Sequence, residues 1–234
     1  MRRFFLTRVA GIQLLVKPKS LPIFVCWIVL ASFSGLLSAQ SEQTSATPSS
    51  PQTPAQQMPS QHSMGTRKNS VGLPNFGEVT PNLFRGGQPG VDGLKTLKDM
   101  GVSIVVDMRS GPNDHEKSAV TKLGMQYVSI PWHCPFPTDE PFARFLKIIE
   151  ENHDKKVFVH CRLGDDRTGM AIASYRMADE GWSADEALNE MEEFGFDWKH
   201  HMICPALERF ERSFPERLKK DEAFKDLKTI SNQK

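Results

Sequence analysis

Residues 157–169 read VFVHCRLGDDRTG, and this stretch decides the fold of the chain. Its first four residues form a short, mainly apolar run, which predicts a buried strand. A helical pattern follows from Thr168 to Asp179, so the residues between form a loop that leads from a strand into a helix. Cys161 and Arg167 bracket this loop with a Cys-x5-Arg spacing.

The loop has the chemistry of an oxyanion-binding site. The backbone N–H groups of such a loop can turn inward, and together with the positive N-terminus of the next helix they bind anions. Gly164 permits the unusual dihedral angles that the loop needs, and the planar guanidinium of Arg167 matches two phosphate oxygens. The positive electrostatic potential of these N–H groups and of Arg167 favours the ionised sulfur. We therefore expect a lowered pKa for Cys161, which would make its side chain a thiolate nucleophile near neutral pH.

Strand and helix patterns alternate on both sides of this loop. The run VSIVVDM at 102–108 is typical of a strand that is buried on both faces. Further strand patterns lie at 75–80, 82–85 and 125–130, and helical patterns lie at 91–100, 113–123, 138–152, 184–194 and 205–214. This alternation predicts a single α/β domain with a central, mainly parallel sheet flanked by helices.

The N-terminal region has a different composition. Residues 1–39 combine five basic residues and no acidic one with an apolar run at 21–37 and the small residues Ser38 and Ala39. This order predicts a cleaved signal peptide or an uncleaved membrane anchor, and therefore a periplasmic, secreted or membrane-tethered protein. Residues 40–70 are rich in Ser, Thr, Pro and Gln and predict a flexible linker. We expect the folded domain over 71–224 and a frayed tail over 225–234.

Charge and cysteine content exclude some classes of function. The chain has 29 basic and 28 acidic residues, and the basic N-terminal segment leaves the rest slightly acidic, so no nucleic-acid partner is expected. Three cysteines follow that segment, and an odd number predicts at least one free thiol. We expect Cys134 to be a buried thiol, with pairing to Cys161 under oxidation as the alternative. The cysteines and histidines match no zinc spacing, so neither metal nor another cofactor is expected.

The stretch resembles the signature of the cysteine-dependent phosphatases, His-Cys-x5-Arg-Ser/Thr, and the chain is similar to the compact dual-specificity and bacterial tyrosine-phosphatase-like group. The segments LFRGGQP at 83–89 and VVDMR at 105–109 extend the resemblance over 75–214. It implies a monomer that hydrolyses phosphate monoesters, in phosphorylated proteins or small esters, through a phosphocysteine intermediate. The alternatives are an inositol phosphate, phosphoinositide or RNA 5′-triphosphate phosphatase, and a non-catalytic phosphate-binding module.

The resemblance also implies roles for single residues. Cys161 would be the nucleophile, Arg167 would bind the transferring phosphoryl group, and Thr168 would hydrogen-bond the thiolate. His160 would orient the loop. The phosphate-binding residues are expected to be Arg162, Leu163, Gly164, Asp165, Asp166 and Arg167.

Two aspartates are candidates for the general acid that protonates the leaving oxygen. Asp139 lies in the segment before a helix where the family places its acid, and it is also a good helix N-cap. Asp166 occupies the position before the loop arginine, where myotubularin-type lipid phosphatases carry an acid. Asp165 is expected to shape the pocket. Two acids in the loop disfavour the most anionic substrates, such as polyphosphoinositides.

Other polar residues are expected to have structural roles. Arg85 and Arg109 follow strand patterns, and we expect them to pair with a carboxylate such as Asp107 rather than to face the phosphate. The segment 198–201, WKHH, is expected to lie on the surface.

Overall fold

A six-stranded sheet forms the centre of the domain in this computed structural model, which describes residues 62–227. The strands are β1 (Thr66–Arg67), β2 (Gly77–Thr80), β3 (Leu83–Gly86), β4 (Val102–Asp107), β5 (Gln126–Ser129) and β6 (Lys156–His160). Their spatial order is β1-β2-β3-β6-β4-β5. The pairs β3–β6, β6–β4 and β4–β5 are parallel, and β2 pairs antiparallel with β1 and β3. The predicted α/β fold with a mainly parallel centre is confirmed.

The register of the central strands places the site. Gly86 at the end of β3 and Asp107 at the end of β4 both lie opposite His160, the last residue of β6. Because the carboxyl ends of parallel strands meet at one edge of a sheet, Cys161 leaves the sheet between the ends of β3 and β4.

Helices cover both faces of the sheet. They are α1 (Val91–Asp99), α2 (Asp114–Lys122), α3 (Glu140–Glu151), α4 (Asp166–Asp179), α5 (Ala184–Glu193), α6 (Trp198–Ile203), α7 (Leu207–Arg212) and α8 (Phe214–Lys220), followed by a short 3₁₀ helix (Glu222–Phe224). Side chains alternate between the two faces along each strand. Val105 and Phe158 therefore pack with α1 and α2, while Val106 and Val159 pack with α3, α4 and the C-terminal helices.

Helix α4 is the most deeply buried helix, because each of its residues from Thr168 to Ala178 is buried. A helix that is apolar or small around its whole circumference belongs in a core. Its first two residues, Asp166 and Arg167, are also the last two residues of the Cys-x5-Arg loop, so the buried helix fixes the position of that end of the loop.

The ordered domain begins earlier than the sequence indicates. Strand β1 lies in the predicted linker and pairs with β2. The backbone N–H of Gly65 donates to Oε1 of Glu190 at 2.6 Å, and the ring of His62 stacks on Trp182 with centroids 5.2 Å apart. These contacts are made with α5 and the turn before it, which are distant in sequence, so composition alone gave no sign of them.

The C-terminal region also differs from the expectation. The helix predicted at 205–214 is present as α7, and a further helix that the sequence did not indicate, α8, follows it after Ser213, with Pro215 in its first turn. Proline fits a first helical turn but not a helix interior, because it lacks an N–H group. Phe224 and Leu227 are buried, so packed structure continues past the predicted domain end.

The predicted signal peptide or anchor, most of the predicted linker and residues 228–234 lie outside the described residues. Between residues 62 and 227, the helices are all too short or too polar to cross a membrane.

Candidate active site

Cys161 lies directly after β6 at the start of the phosphate loop, by which we mean residues 161–167. Its side chain is buried, and the backbone N–H of Gly164 points inward and donates to Sγ at 3.3 Å. The backbone N–H of Thr168 also hydrogen-bonds the sulfur, and the hydroxyl of Thr168 lies close to it. The loop therefore turns N–H groups towards its centre, as the sequence predicts for an anion-binding loop.

Gly164 is the residue that this loop conformation requires. Its φ is +86°, a region that side chains with a Cβ rarely adopt. A Cβ at this position would also lie 2.5 Å from backbone atoms of both Gly86 and Gly87. The loop is thus packed tightly against the two glycines that follow β3.

The segment LFRGGQP braces the phosphate loop through three hydrogen bonds. Arg85 Nη2 donates to the carbonyl of Gly164 at 3.1 Å, and the N–H of Gln88 donates to the carbonyl of Arg162 at 3.2 Å. The hydroxyl of Thr168 is 3.3 Å from the carbonyl of Gly86. Carbonyl groups that are held outward in this way leave the loop N–H groups to point inward.

Arg85 therefore supports the loop from below and does not pair with Asp107 as expected. It is completely buried, and its guanidinium lies 3.9 Å from the ring centre of Phe194. Burial lowers the pKa of Arg85 to about 10, although the nearby Glu190 and Cys161 act in the opposite direction. Its charge lies close enough to Cys161 to favour the ionised sulfur.

His160 belongs to a buried network behind the loop. Its Nδ1 is 3.1 Å from the carbonyl of Cys161, and its Nε2 is 2.7 Å from Oε1 of Glu116. The other oxygen of Glu116 accepts from Arg109, which also donates to both carboxylate oxygens of Asp107 at 2.8 and 2.6 Å. The predicted pairing of Arg109 with Asp107 is confirmed, whereas Glu116 was not identified from the sequence.

Asp166 lies beside the thiol. Its Oδ1 is 3.5 Å from Sγ of Cys161 and accepts the backbone N–H of Arg167 at 2.6 Å. Burial raises the pKa of Cys161 and the charge of Asp166 raises it further, against hydrogen bonds from Thr168 and Gly164 that lower it. The expectation of a lowered pKa is therefore wrong for this structure, because burial and the neighbouring carboxylate outweigh the loop donors.

The remaining loop residues differ in exposure. Arg162 and Leu163 are exposed, so only their backbone groups belong to the loop interior. Arg167 is half-buried, and its Nε has no hydrogen-bond partner among the described residues. A buried guanidinium N–H without a partner fits a site that takes an anionic oxygen.

Asp139 occupies the N-cap position of α3, but its side chain makes no capping hydrogen bond. Both of its carboxylate oxygens accept from Nε of Arg217 at 3.0 Å, and Asp221 lies nearby. Burial raises the pKa of Asp139, which the hydrogen bond with Arg217 opposes. The structure thus brings Asp166 to the thiol and ties the carboxylate of Asp139 to α8.

Cys134 forms a disulfide with Cys204, and Cys161 is a free thiol. Both expectations for Cys134, a buried thiol or pairing with Cys161, are wrong because the fold brings together two cysteines that are 70 residues apart in sequence. The two sulfurs and a carboxylate oxygen of Asp166 lie within 4.8 Å of one another. The disulfide therefore joins the segment before α3 to the end of α6 beside the phosphate loop.

His200 is a further residue whose contacts differ from the expectation. Trp198 and Lys199 are exposed as expected, but Nε2 of His200 is 3.1 Å from Oδ2 of Asp165 in the phosphate loop. No motif links these residues, since the contact depends on how α6 packs.

Comparison with protein families defines the class to which this site belongs. The family described as "DSP-PTPase phosphatase fused to NAD+ Kinase" matches residues 68–201, which is more than half of the chain. The chain belongs to this family, and its resemblance to the cysteine-dependent phosphatases is confirmed.

Individual relatives share part of the chain. The dual specificity protein phosphatase TpbA of Pseudomonas aeruginosa is 28% identical over 123 residues, which cover 52% of this chain and 55% of TpbA. An mRNA-capping enzyme of Danio rerio is 30% identical over 101 residues, which cover 41% of this chain and 17% of that enzyme. This chain thus spans about half the length of TpbA and a smaller part of the capping enzyme.

Solved structures share the fold. The crystal structure of TpbA superposes with a TM-score of 0.56 and 23% identity, covering 66% of this chain and 96% of that one. TpbA has also been solved with pTyr bound. The core catalytic domain of the PP-IP phosphatase SIW14 from S. cerevisiae superposes with a TM-score of 0.54 and 16% identity, covering 66% and 91%.

Proposed function

We propose that this protein hydrolyses phosphate monoesters through a phosphocysteine intermediate. The observation that carries the proposal is the buried thiol of Cys161 at the floor of a loop whose Gly164 N–H points at the sulfur. The Nε of Arg167, which has no hydrogen-bond partner between residues 62 and 227, closes the same loop. A nucleophile below an anion-binding loop is positioned for in-line attack on a bound phosphoryl group. Membership of a phosphatase family supports this assignment.

The substrate class that we propose is a phosphorylated protein or a small ester with a single phosphoryl group. The pTyr complex of TpbA supports a phosphotyrosine-type substrate. In the loop, Asp165 and Asp166 oppose the positive charge of Arg162 and Arg167. Additional phosphates on a substrate would meet these carboxylates, which counts against inositol polyphosphates and RNA 5′-triphosphates despite the likeness to SIW14 and a capping enzyme.

We assign proton transfer to Asp166 rather than to Asp139, since only Asp166 contacts the thiol among the contacts described. In the first step the thiol proton passes to Oδ1 of Asp166, the sulfur–phosphorus bond forms, and the ester bond to phosphorus breaks. A bound phosphoryl oxygen accepts the hydrogen bond of the Arg167 backbone N–H in place of Asp166, so the Asp166 carboxylic acid, which now carries the thiol proton, is free to donate that proton to the leaving oxygen. This transfer explains how a thiol whose pKa is raised can still act as a nucleophile.

In the second step water attacks the phosphocysteine. Asp166 takes a proton from the water, the sulfur–phosphorus bond breaks, and the proton returns to the sulfur of Cys161. Thr168 hydrogen-bonds the departing sulfur, and Arg167 stabilises the transferring phosphoryl group. The products are free thiol and inorganic phosphate, so the site returns to its starting state.

We also propose that the domain works outside the cytoplasm. The predicted signal or anchor at 1–39 motivates this proposal, and the Cys134–Cys204 disulfide supports it, because disulfides persist in oxidising compartments. Mass spectrometry of the N-terminus of protein from the native host tests it. A mature chain that begins near Gln40 is expected for a cleaved signal, an intact Met1 in membranes for an anchor, and an intact Met1 in the cytosol contradicts export.

Turnover of p-nitrophenyl phosphate in EDTA tests the central proposal. We expect Cys161→Ser to abolish turnover while phosphate binding survives, and Arg167→Lys to lose about 10²–10³-fold in kcat, because lysine cannot bind two oxygens with a planar fork. Arg144→Lys, at an exposed position of α3, is the matched control and should behave as wild type. Phosphate binding without turnover in the wild-type protein would instead support the non-catalytic module.

A further inference from the structure

Helix α6 contacts the phosphate loop through the side chain of His200. Trp198 is 63% exposed, whereas His200 turns inward, and its Nε2 is 3.1 Å from Oδ2 of Asp165. Both side chains of this pair are largely buried, with 16% of His200 and 12% of Asp165 exposed. A hydrogen bond between two such groups is stronger than one at the surface.

The local structure fixes which nitrogen of His200 carries the proton. The backbone N–H of Asp197 donates to Nδ1 at 3.1 Å, so in the neutral ring the proton must be on Nε2. The carboxylate of Asp197, 3.2 Å from Nδ1, suits the charged ring, in which Nε2 is also protonated. In either form Nε2 therefore donates to Asp165. Phe196 stacks on the ring with centroids 5.2 Å apart and limits its rotation.

Asp165 links His200 to the N-terminus of α4, which binds the anion together with Arg167. Its Oδ1 accepts the N–H of Asp166 at 2.8 Å and caps α4, and its carbonyl accepts the N–H of Gly169 at 3.0 Å. The first turn of α4 carries Arg167. The orientation of the Asp165 carboxylate therefore sets how the helix N-terminus and the arginine meet a phosphate.

The negative charge of Asp165 also needs a hydrogen-bond donor beside it. A buried carboxylate beside an anion-binding loop repels a dianionic phosphoryl group unless a donor takes up part of its charge. His200 donates to it from outside the loop, and the buried Arg85 also attracts it by charge. The disulfide at Cys204 then holds α6 in place, together with the Asp197 cap at its other end.

We propose that His200 is a positioning residue for phosphate binding: it orients the Asp165 carboxylate and offsets its charge, so that the loop accepts a dianionic phosphoryl group. This inference rests on the proposed function, since it assigns a role within the same site.

The test is direct binding of inorganic phosphate by isothermal titration calorimetry, together with kcat and KM for p-nitrophenyl phosphate, on the full chain. We expect His200→Ala to weaken phosphate binding about tenfold and to raise KM more than it lowers kcat. His200→Gln should keep most of the affinity, because its amide nitrogen can donate from nearly the position of Nε2. His201→Ala is the matched control, since His201 lies next on α6 and pairs with Glu208 at the surface.

A second pair of variants separates positioning from a general loss of structure. In an Asp165→Asn background, His200→Ala should weaken phosphate binding much less than in wild type, because the charge to be offset is gone. Unchanged phosphate affinity in His200→Ala, equal effects of His200→Ala and His201→Ala, or no coupling with Asp165 would each overturn the proposal. If His200→Ala does not fold, His200→Leu, which fills the same space but cannot donate a hydrogen bond, replaces it in both comparisons. A wild-type protein that binds phosphate without turnover overturns the proposed function alone, since the binding data still measure the role of His200.

Discussion

Two acidic clusters of this domain differ in what neutralises them. In the phosphate loop, Asp166 accepts one backbone N–H and contacts a thiol. On the α3–α8 side, Asp139 accepts two hydrogen bonds from Arg217, with the buried Glu211 close by. The Asp139 carboxylate already has a guanidinium as its hydrogen-bond partner. The Asp166 carboxylate accepts a backbone N–H that an incoming phosphate can also bind, so Asp166 can exchange its partner. The contacts of a carboxylate, more than its place in the sequence, indicate which of the two can move a proton.

The sharpest test of this comparison replaces each acid in turn. We expect Asp166→Asn to slow an alkyl phosphate by ~10²–10⁴-fold and an activated aryl phosphate much less, because a good leaving group hardly needs a proton. Asp139→Asn, the matched variant, should keep the wild-type ratio of alkyl to aryl rates. The measurement is that ratio in each variant, and a change that appears in Asp139→Asn instead would reverse the assignment.

The same variant should increase the reactivity of the thiol. Because the charge of Asp166 raises the pKa of Cys161, Asp166→Asn should lower that pKa and move the pH midpoint of iodoacetamide alkylation downward. Alkylation thus becomes faster at neutral pH while hydrolysis of alkyl phosphates becomes slower. Parallel changes in the two rates would indicate a general disturbance of the loop.

A glycine pair tests whether the loop conformation is as constrained as its contacts indicate. Gly164→Ala combines a positive φ with a Cβ that meets the backbone of Gly86, so we expect a loss of at least ~2 kcal/mol in stability and severe loss of turnover. Gly181→Ala has a φ of +72° but an open surrounding, and should lose only about 1 kcal/mol with normal kinetics. Thermal melts and kcat on both variants check this, and equal behaviour of the pair would argue against the packed loop.

The disulfide connects the two clusters, because Cys134 lies in the segment before Asp139 and the bonded sulfurs lie near Asp166. Replacing both cysteines by serine should lower the free energy of unfolding by about 2–4 kcal/mol, since the bond closes a long loop in the unfolded chain. Urea unfolding of this double variant beside wild type measures the loss. Stability that does not change would mean that the two segments are held by other contacts.

The last expected effect is a pH dependence of stability from Glu211, on the α3–α8 side of the domain. Burial raises the pKa of Glu211 to about 8 from 4.5, so the folded state binds more protons than the unfolded state between these values. The free energy of unfolding should therefore fall as pH rises through that window, by up to about 3 kcal/mol at neutral pH. Glu211→Gln should flatten the curve, while Glu208→Gln on the same helix, with an exposed side chain, should not. Curves for Glu211→Gln and wild type that stay parallel would contradict the raised pKa.

The parts that sequence reasoning predicted are local along the chain. Cys161 and Arg167 lie within seven residues, so the strand, the loop and the helix start could be inferred together. The parallel sheet followed from runs such as 102–108 that are apolar on both faces. The pairing of Arg109 with Asp107 is likewise a contact between near neighbours.

The parts that it missed depend on contacts between distant segments. Arg85 reaches Gly164 across 79 positions, and Cys134 reaches Cys204 across 70. The direction of the Cys161 pKa was wrong because a motif specifies the loop donors but not the burial of the sulfur or the rotamer of Asp166. The sequence predicts a surface position for 198–201 because this segment is polar. Its composition does not show that His200 turns towards the phosphate loop.

Trapping the phosphocysteine tests the central claim most directly. Wild-type protein mixed with p-nitrophenyl phosphate and quenched in acid should yield, by peptide mass spectrometry, a peptide containing Cys161 that carries one phosphoryl group. The same experiment on Cys161→Ser should give no such adduct, and Asp166→Asn should accumulate more of it if hydrolysis of the intermediate needs the carboxylate. Turnover in wild type together with an unmodified Cys161 peptide at every quench time, or undiminished turnover by Cys161→Ser, would contradict the account.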